Sequence, residues 1–101
     1  MTKVAAIVTF KAKPGKGNEV AHLIGAALPH AINEQPMPLW LVLQSEVDPD
    51  IVHIVDVFVD SAGRDNHLRD QTAAQIIATV PPHLASALDI APMRLIAAKG
   101  I

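Results

Sequence analysis

The chain has 101 residues, 50% of them hydrophobic and 18% charged, a formal net charge of -2 and no cysteine. That size gives one domain spanning 1–101, with enough chain to bury a core unaided. The charge balance excludes the basic footprint of a nucleic-acid binder, and the missing cysteine excludes disulfides, thiolate metal sites and a cysteine nucleophile. The charged share is low against about 25% in a typical domain, so a partner is expected to hide part of the surface.

No window approaches the ~18 apolar residues of a membrane span. The N-terminal "MTKVAAIVTFKAK" has too short an apolar run for a signal peptide. The expectation is a soluble cytoplasmic protein with no membrane or nucleic-acid partner. Lys3 to Lys13 reads as a strand, with Val4, Ala6, Val8, Phe10 and Ala12 on one face. Pro14 and Gly15 end it in a turn. Val20, Leu23, Ile24, Ala27, Leu28, Ala31 and Ile32 then follow helical spacing. Pro29 lies inside that pattern and predicts a kink, because it removes the bond to the Gly25 carbonyl.

"EQPMP" closes the helix, and Leu39 to Val47 reads as a second strand. "EVDPD" is a hairpin loop whose turn is led by Asp48 and Pro49. Ile51 to Val59 is a third strand, interrupted by His53 and Asp56 on opposite faces. Asp60 or Ser61 is the expected N-cap of a second helix. That helix breaks near Asp70, continues through Ala73, Ile76, Ile77 and Val80, and stops at Pro81 and Pro82. Met93 to Lys99 is the expected fourth strand. The order βαββαβ with right-handed crossovers gives an α+β, ferredoxin-like antiparallel sheet with helices on one face. The second and third strands are apolar on both faces, whereas a water-facing side should alternate to polar. A second copy packed sheet to sheet, in a two-fold homodimer, is the expected cover.

Four stretches resemble the antibiotic-biosynthesis monooxygenase (ABM) family of dimeric α+β barrels. "VAAIVTFKAKPGKGNEV" is similar to its first strand, Lys-Pro-Gly turn and helix start. "NEQPMPLWLVLQSEVDPD" is similar to its Glu-Pro-Gly-Cys segment, second strand and Asp-Pro-Asp hairpin. "IVHIVDVFVDSAGRDNHL" resembles its third strand and the short helix carrying Ala-His-Leu, and "MRLIAAKGI" its closing strand. The departures cluster before strand two and at the end of strand three. Phe58 stands in place of a Trp, Pro36 of a glycine, Asp65 of a small residue and Arg64 of an apolar one. Thr72 stands where some relatives have a second His. Haem-degrading relatives use an Asn in strand one with a Trp and a His in the helical segment; the nearest places hold Val8, His67 and Ile77, so the resemblance does not carry haem chemistry.

The resemblance implies cofactor-independent oxygenation of a quinol-like or polyketide aromatic, with no metal or flavin. Such chemistry needs an apolar, water-poor pocket with one or two polar groups, because the substrate itself supplies the electrons to dioxygen. His67 is the candidate general base, with a reference pKa of about 6.5; the alternative is a surface or helix-capping histidine. Arg64, one turn earlier, either faces a ligand enolate or carboxylate or pairs in solvent with Asp60 or Asp65. Asp56, if its face meets the helices, is a buried carboxylate that must be paired, with Arg94 as the candidate salt-bridge partner, or raised in pKa. Phe58 and Trp40 are candidate pocket walls as well as core aromatics. No His pair has helical metal-site spacing. Two further functions stay open: a non-catalytic dimeric barrel binding a small hydrophobic or anionic ligand, and an isomerase or cyclase using His67 and Asp56.

Overall fold

The computed structural model describes residues 3–101. Met1 and Thr2, part of the stretch read above as too weakly apolar for a signal peptide, lie outside the described residues. The elements are β1 (Val4–Lys11), α1 (Gly17–Gly25), α2 (Leu28–Ile32), β2 (Leu39–Gln44), β3 (Ile51–Phe58), α3 (Ser61–His67), α4 (Gln71–Thr79) and β4 (Asp89–Arg94), with a 3-10 turn at Pro81–His83. The sheet order is β2-β3-β1-β4 and each neighbouring pair is antiparallel, which is the ferredoxin-like arrangement. Among the described residues no helix is long and apolar enough to cross a membrane.

Register decides which side chains meet the helices. β1 and β3 pair Ala6 with Asp56, Val8 with Ile54 and Phe10 with Val52. Side chains alternate along a strand, so these six share one face. Phe10, Val52 and Ile54 pack there against Val20 and Ile24 of α1, Ile76 of α4, and Val80. A second cluster joins Ala6, Ala31, Met37 and Phe58. Fully burying a side chain such as Phe10 or Val20 stabilises the fold by about 1.5–3 kcal/mol. The opposite face carries Leu41, Leu43 and Met93, which are 41%, 48% and 41% exposed. His53 lies on that side too, hydrogen-bonded across the strands to Thr9 at 3.0 Å.

The first helix divides rather than kinks. α1 ends at Gly25 and α2 restarts at Leu28 with Pro29 in its first turn, where a missing N–H costs nothing. The second helix also divides, at Asp70 as expected, and Asp60 caps α3 by accepting a 2.8 Å bond from the Gly63 N–H. α1 has no cap from its own preceding residue. Asp50, in the β2–β3 hairpin, accepts from the N–H groups of Gly15 at 3.2 Å and Gly17 at 3.0 Å instead. Two loops far apart in sequence are thereby locked together, and Gly17 lies so close to the hairpin that a Cβ there would collide with the Pro49 carbonyl.

The fourth strand is earlier than the expected Met93 to Lys99. The turn after α4 bridges Leu84 to Ala12, so the chain enters the sheet near the C-terminal end of β1. β4 then pairs Asp89 with Thr9 and Arg94 with Val4, where β1 begins. Leu95 to Lys99 therefore runs past the strand, and Ile96 is exposed. Asp89 and Pro92 disguise the strand in the sequence, yet a proline is tolerated on an edge strand.

The hairpin contact predicts opposite outcomes for two glycines. Gly17→Ala should destabilise by about 2 kcal/mol or more, because backbone must move to admit the methyl. Gly25→Ala, whose methyl would enter open space, should stabilise by up to about 1 kcal/mol. Urea midpoints at constant slope measure both.

Candidate functional site

Asp56 is the one charged side chain among the buried residues of the described chain, at 1% exposure. It sits in mid-strand on the helix-facing side, between Ile54 and Phe58. It forms no salt bridge with Arg94, the partner expected from the sequence. Its ionic neighbour is His67, whose Nε2 lies 3.6 Å from Oδ2. That separation is electrostatic contact rather than a hydrogen bond. Asp56 Oδ1 is buried with no hydrogen-bond partner among the described residues, which is unusual for a native polar atom.

The other edge of the His67 ring is held firmly. Nδ1–H donates to Glu34 Oε1 at 2.9 Å, and Thr72 Oγ1 donates to Glu34 Oε2 at 2.5 Å. Both His67 and Glu34 are 11% exposed. The turn carrying Glu34 reaches this place because it docks on the start of α3. The Val59 N–H donates to the Pro36 carbonyl at 2.9 Å, and Gly63 leaves room for the Pro36 ring. The Phe58 ring lies beside His67, with centroids 5.3 Å apart at 50°, within the range of favourable aromatic pairs.

The carboxyls divide in their proton affinity. Burial pushes Asp56 up to about 6; the charge of His67 opposes that rise and the charge of Glu34 adds to it. Burial also works to raise Glu34, but hydrogen bonds from Thr72, His67 and Asp70 outweigh it and hold Glu34 below its ordinary value. Asp70 is raised, chiefly by its hydrogen bond to Glu34. With Glu34 ionised and accepting, Nδ1 is the nitrogen that donates, and Nε2 faces Asp56 and the cavity.

That cavity holds about 260 Å³ and is lined by Ala6, Val8, Asp56, Phe58, Arg64, Asp65, His67, Leu68, Ile90 and Pro92. Its wall is mainly apolar with a few convergent polar groups, as ligand sites are. A second space of about 150 Å³ adjoins it, sharing Val8, His67, Leu68 and Ile90 and walled by Ile54, Ile76, Ile77 and Leu88. Of the five candidate site residues, His67, Arg64, Asp56 and Phe58 line the main cavity. Trp40 does not; it packs against both core clusters, with its indole N–H buried and unpartnered among the described residues. Arg64 pairs with neither Asp60 nor Asp65. Its Nη1 donates to the Ala5 carbonyl at 3.1 Å and lies 3.5 Å from that of Met93. Glu34 is the residue that sequence reasoning misses. Its only signal is an acidic residue in the "NEQPMP" turn, which looks like ordinary surface until the fold sets it against His67. Among the described residues, no group of His, Asp and Glu side chains is arranged to hold a metal ion.

No protein-family model and no curated protein sequence matches the chain. Solved structures do. A protein of unknown function from Nitrosomonas europaea, NE2512, is 37% identical, with a TM-score of 0.88 over 98% of this chain and 94% of that one. A conserved protein from Methanosarcina mazei is 20% identical, with a TM-score of 0.82 over 93% of each chain. An antibiotic biosynthesis monooxygenase is 15% identical, with a TM-score of 0.80 over 93% of this chain and 99% of its own.

The raised Asp56 has a definite consequence for stability. The folded state holds a proton on Asp56 that the unfolded state has already lost between pH 3.8 and about 6. Folding therefore loses stability from this group as pH rises through that window, and the loss persists above it. Asp56→Asn should flatten this fall, so that its stability relative to the parent chain is higher at neutral pH than at pH about 4. Urea unfolding of both proteins across that range measures it; parallel curves would remove the buried-carboxylate account.

Proposed function

We propose that this chain, which belongs to the family of the Nitrosomonas europaea protein and has the fold of an antibiotic biosynthesis monooxygenase, is a cofactor-independent oxygenase of quinol-like or anthrone-like aromatic molecules. The observation that carries the reading is His67. Its Nε2 opens on a largely apolar cavity while an ionised Glu34 holds its Nδ1–H at 2.9 Å. A carboxylate behind an imidazole fixes the tautomer and stabilises the imidazolium that forms when the other nitrogen takes a proton.

The chemistry then balances with groups in the cavity and dioxygen. His67 Nε2 removes a proton from an acidic ring methylene or phenol. Phe58, Val8, Leu68 and Ile90 line the cavity and seat the ring. For a methylene, the carbanion adds dioxygen at carbon, and the peroxide oxygen takes back the proton from His67. The hydroperoxide then eliminates water to leave a carbonyl. One oxygen atom enters the product and one leaves as water, and the four electrons come from the substrate carbon. Asp56, sharing the cavity with His67, supplies a second site for the proton. The same Asp56–His67 pair supports an isomerase or cyclase, which would turn over without oxygen. A cavity that binds aromatics but turns over none is the non-catalytic alternative.

Oxygen uptake with a panel of anthrones and naphthoquinols tests the reading, and no uptake across the panel overturns it. Where uptake is seen, His67→Ala should lower kcat by about 10²-fold or more. Glu34→Gln, which keeps an acceptor but removes the charge, should lower kcat by about tenfold with little change in KM and shift the pH profile of kcat. An unchanged rate in His67→Ala removes the histidine from the mechanism.

The exposed Leu41 and Leu43 on one edge strand and Met93 on the other support a homodimer through the open sheet face, since large apolar side chains exposed on the uncovered face of a sheet favour an interface. Sedimentation at micromolar concentration should give twice the chain mass, and Leu43→Asp should return it to the monomer.

A further inference from the structure

Arg64 stands at a boundary between two spaces. On its inner side is the cavity of His67, which also holds the carboxyls of Asp56 and Asp65. On its outer side is an open cleft of about 420 Å³, where Arg64 is joined by Arg94 and the Ser61 hydroxyl, and which no acidic side chain among the described residues lines. Pro92 lies on the wall of both. Among the described residues neither arginine forms an ion pair with a carboxylate. The bonds Arg64 does make go to backbone carbonyls through Nη1 alone, leaving most of its five N–H donors unspent. Two guanidinium groups held in one cleft, beside a hydroxyl and away from acids, are an anion site. Guanidinium geometry matches a carboxylate in two parallel hydrogen bonds.

We infer that the molecule bound at His67 is an aromatic carboxylate, whose ring occupies the inner cavity and whose acid group reaches past Pro92 to Arg64, Arg94 and Ser61. This rests on the inner cavity being the substrate site proposed above. The segregation of charge sets the orientation. An anion placed inward would meet Asp65 and Asp56, whereas outward it meets only cations and a hydroxyl. The adjoining space beyond His67, walled by Ile76, Ile77 and Leu88, takes an apolar substituent at the other end. The substrate is then an elongated, amphipathic molecule with its reactive carbon in the middle.

Calorimetric titration of the whole protein with 2-naphthoate and with 2-naphthamide tests this without any turnover. The two probes have the same ring and differ in charge. Naphthoate should bind at least ~10-fold more tightly, and the margin should narrow in high salt, which screens the exposed Arg94. Arg94→Gln, which breaks no side-chain bond among the described residues, should weaken naphthoate several-fold and leave naphthamide unchanged, and Arg64→Gln should weaken naphthoate more strongly than it weakens naphthamide. Equal affinities, failure of both probes to bind, or an Arg94→Gln protein that binds naphthoate normally would overturn the inference. The oxygenase reading fails separately. A protein that prefers naphthoate through its arginines but consumes no oxygen with any substrate loses the activity and keeps the site. One that oxidises neutral anthrones and ignores charge does the reverse.

Discussion

A carboxyl group in the middle of a buried β-strand is the constraint on which the rest of this structure turns. Asp56 occupies a position whose neighbours on the same face are Ile54, Phe58, Ala6 and Val8. Taking a carboxylate out of water costs far more than an aliphatic side chain would gain there. The chain meets that cost in two ways. It holds the Asp56 proton more tightly, and it sets one imidazole nearby instead of a full salt bridge. An arginine in the place of His67 would hold the Asp56 carboxyl ionised to lower pH. The imidazole offsets the burial of Asp56 only in part, and the carboxyl is left raised to about 6.

The His67 ring presents Nε2 to Asp56 because its other nitrogen is committed to Glu34. The commitment depends on a contact between two loops, Pro36 against Gly63 and the Val59 N–H, that brings Glu34 under α3. Thr72 then fixes the second carboxylate oxygen from the first turn of α4. Four separate segments thus converge on one imidazole. A charged carboxylate with Thr72, His67 and Asp70 as partners stays ionised, so it orients the ring without competing for the proton in the cavity. The two carboxyls flanking His67 differ in affinity because one has hydrogen-bond donors and the other has aliphatic walls.

What is legible in the sequence follows the same division. Alternation in "IVHIVDVF" is enough to place Asp56 and His53 on opposite faces, because the strand period is rigid; which face meets the helices is set by packing. The break near Asp70, the Asp60 cap and the Asp48–Pro49 turn are legible because each is local chemistry. Glu34 is not, since its role depends on a contact with a residue 33 positions away. The Asp50 cap of α1 is hidden for the same reason. β4 escapes local reading because its register is set by where the chain re-enters beside Ala12, while Pro92 and Asp89 argue locally against a strand. Spacing alone offers Arg64 the nearby carboxylates of Asp60 and Asp65, and the fold gives it backbone carbonyls instead.

The location of the cavity also follows from the breaks in the helical layer. α3 is seven residues long and the chain turns at Asp70 before α4 begins. The gap leaves the β1–β4 side of the sheet incompletely covered, and Ala6, Val8, Ile90 and Pro92 form its floor. A single continuous helix would have filled that gap with side chains, as α1 does over β2 and β3. Small residues at Ala6 and Pro92 deepen it further. At one end the gap meets the apolar flank of α4, and at the other it meets the arginines beside Ser61. The gradient from apolar to cationic is therefore built along the strand edge, with Asp56 and His67 between the two extremes.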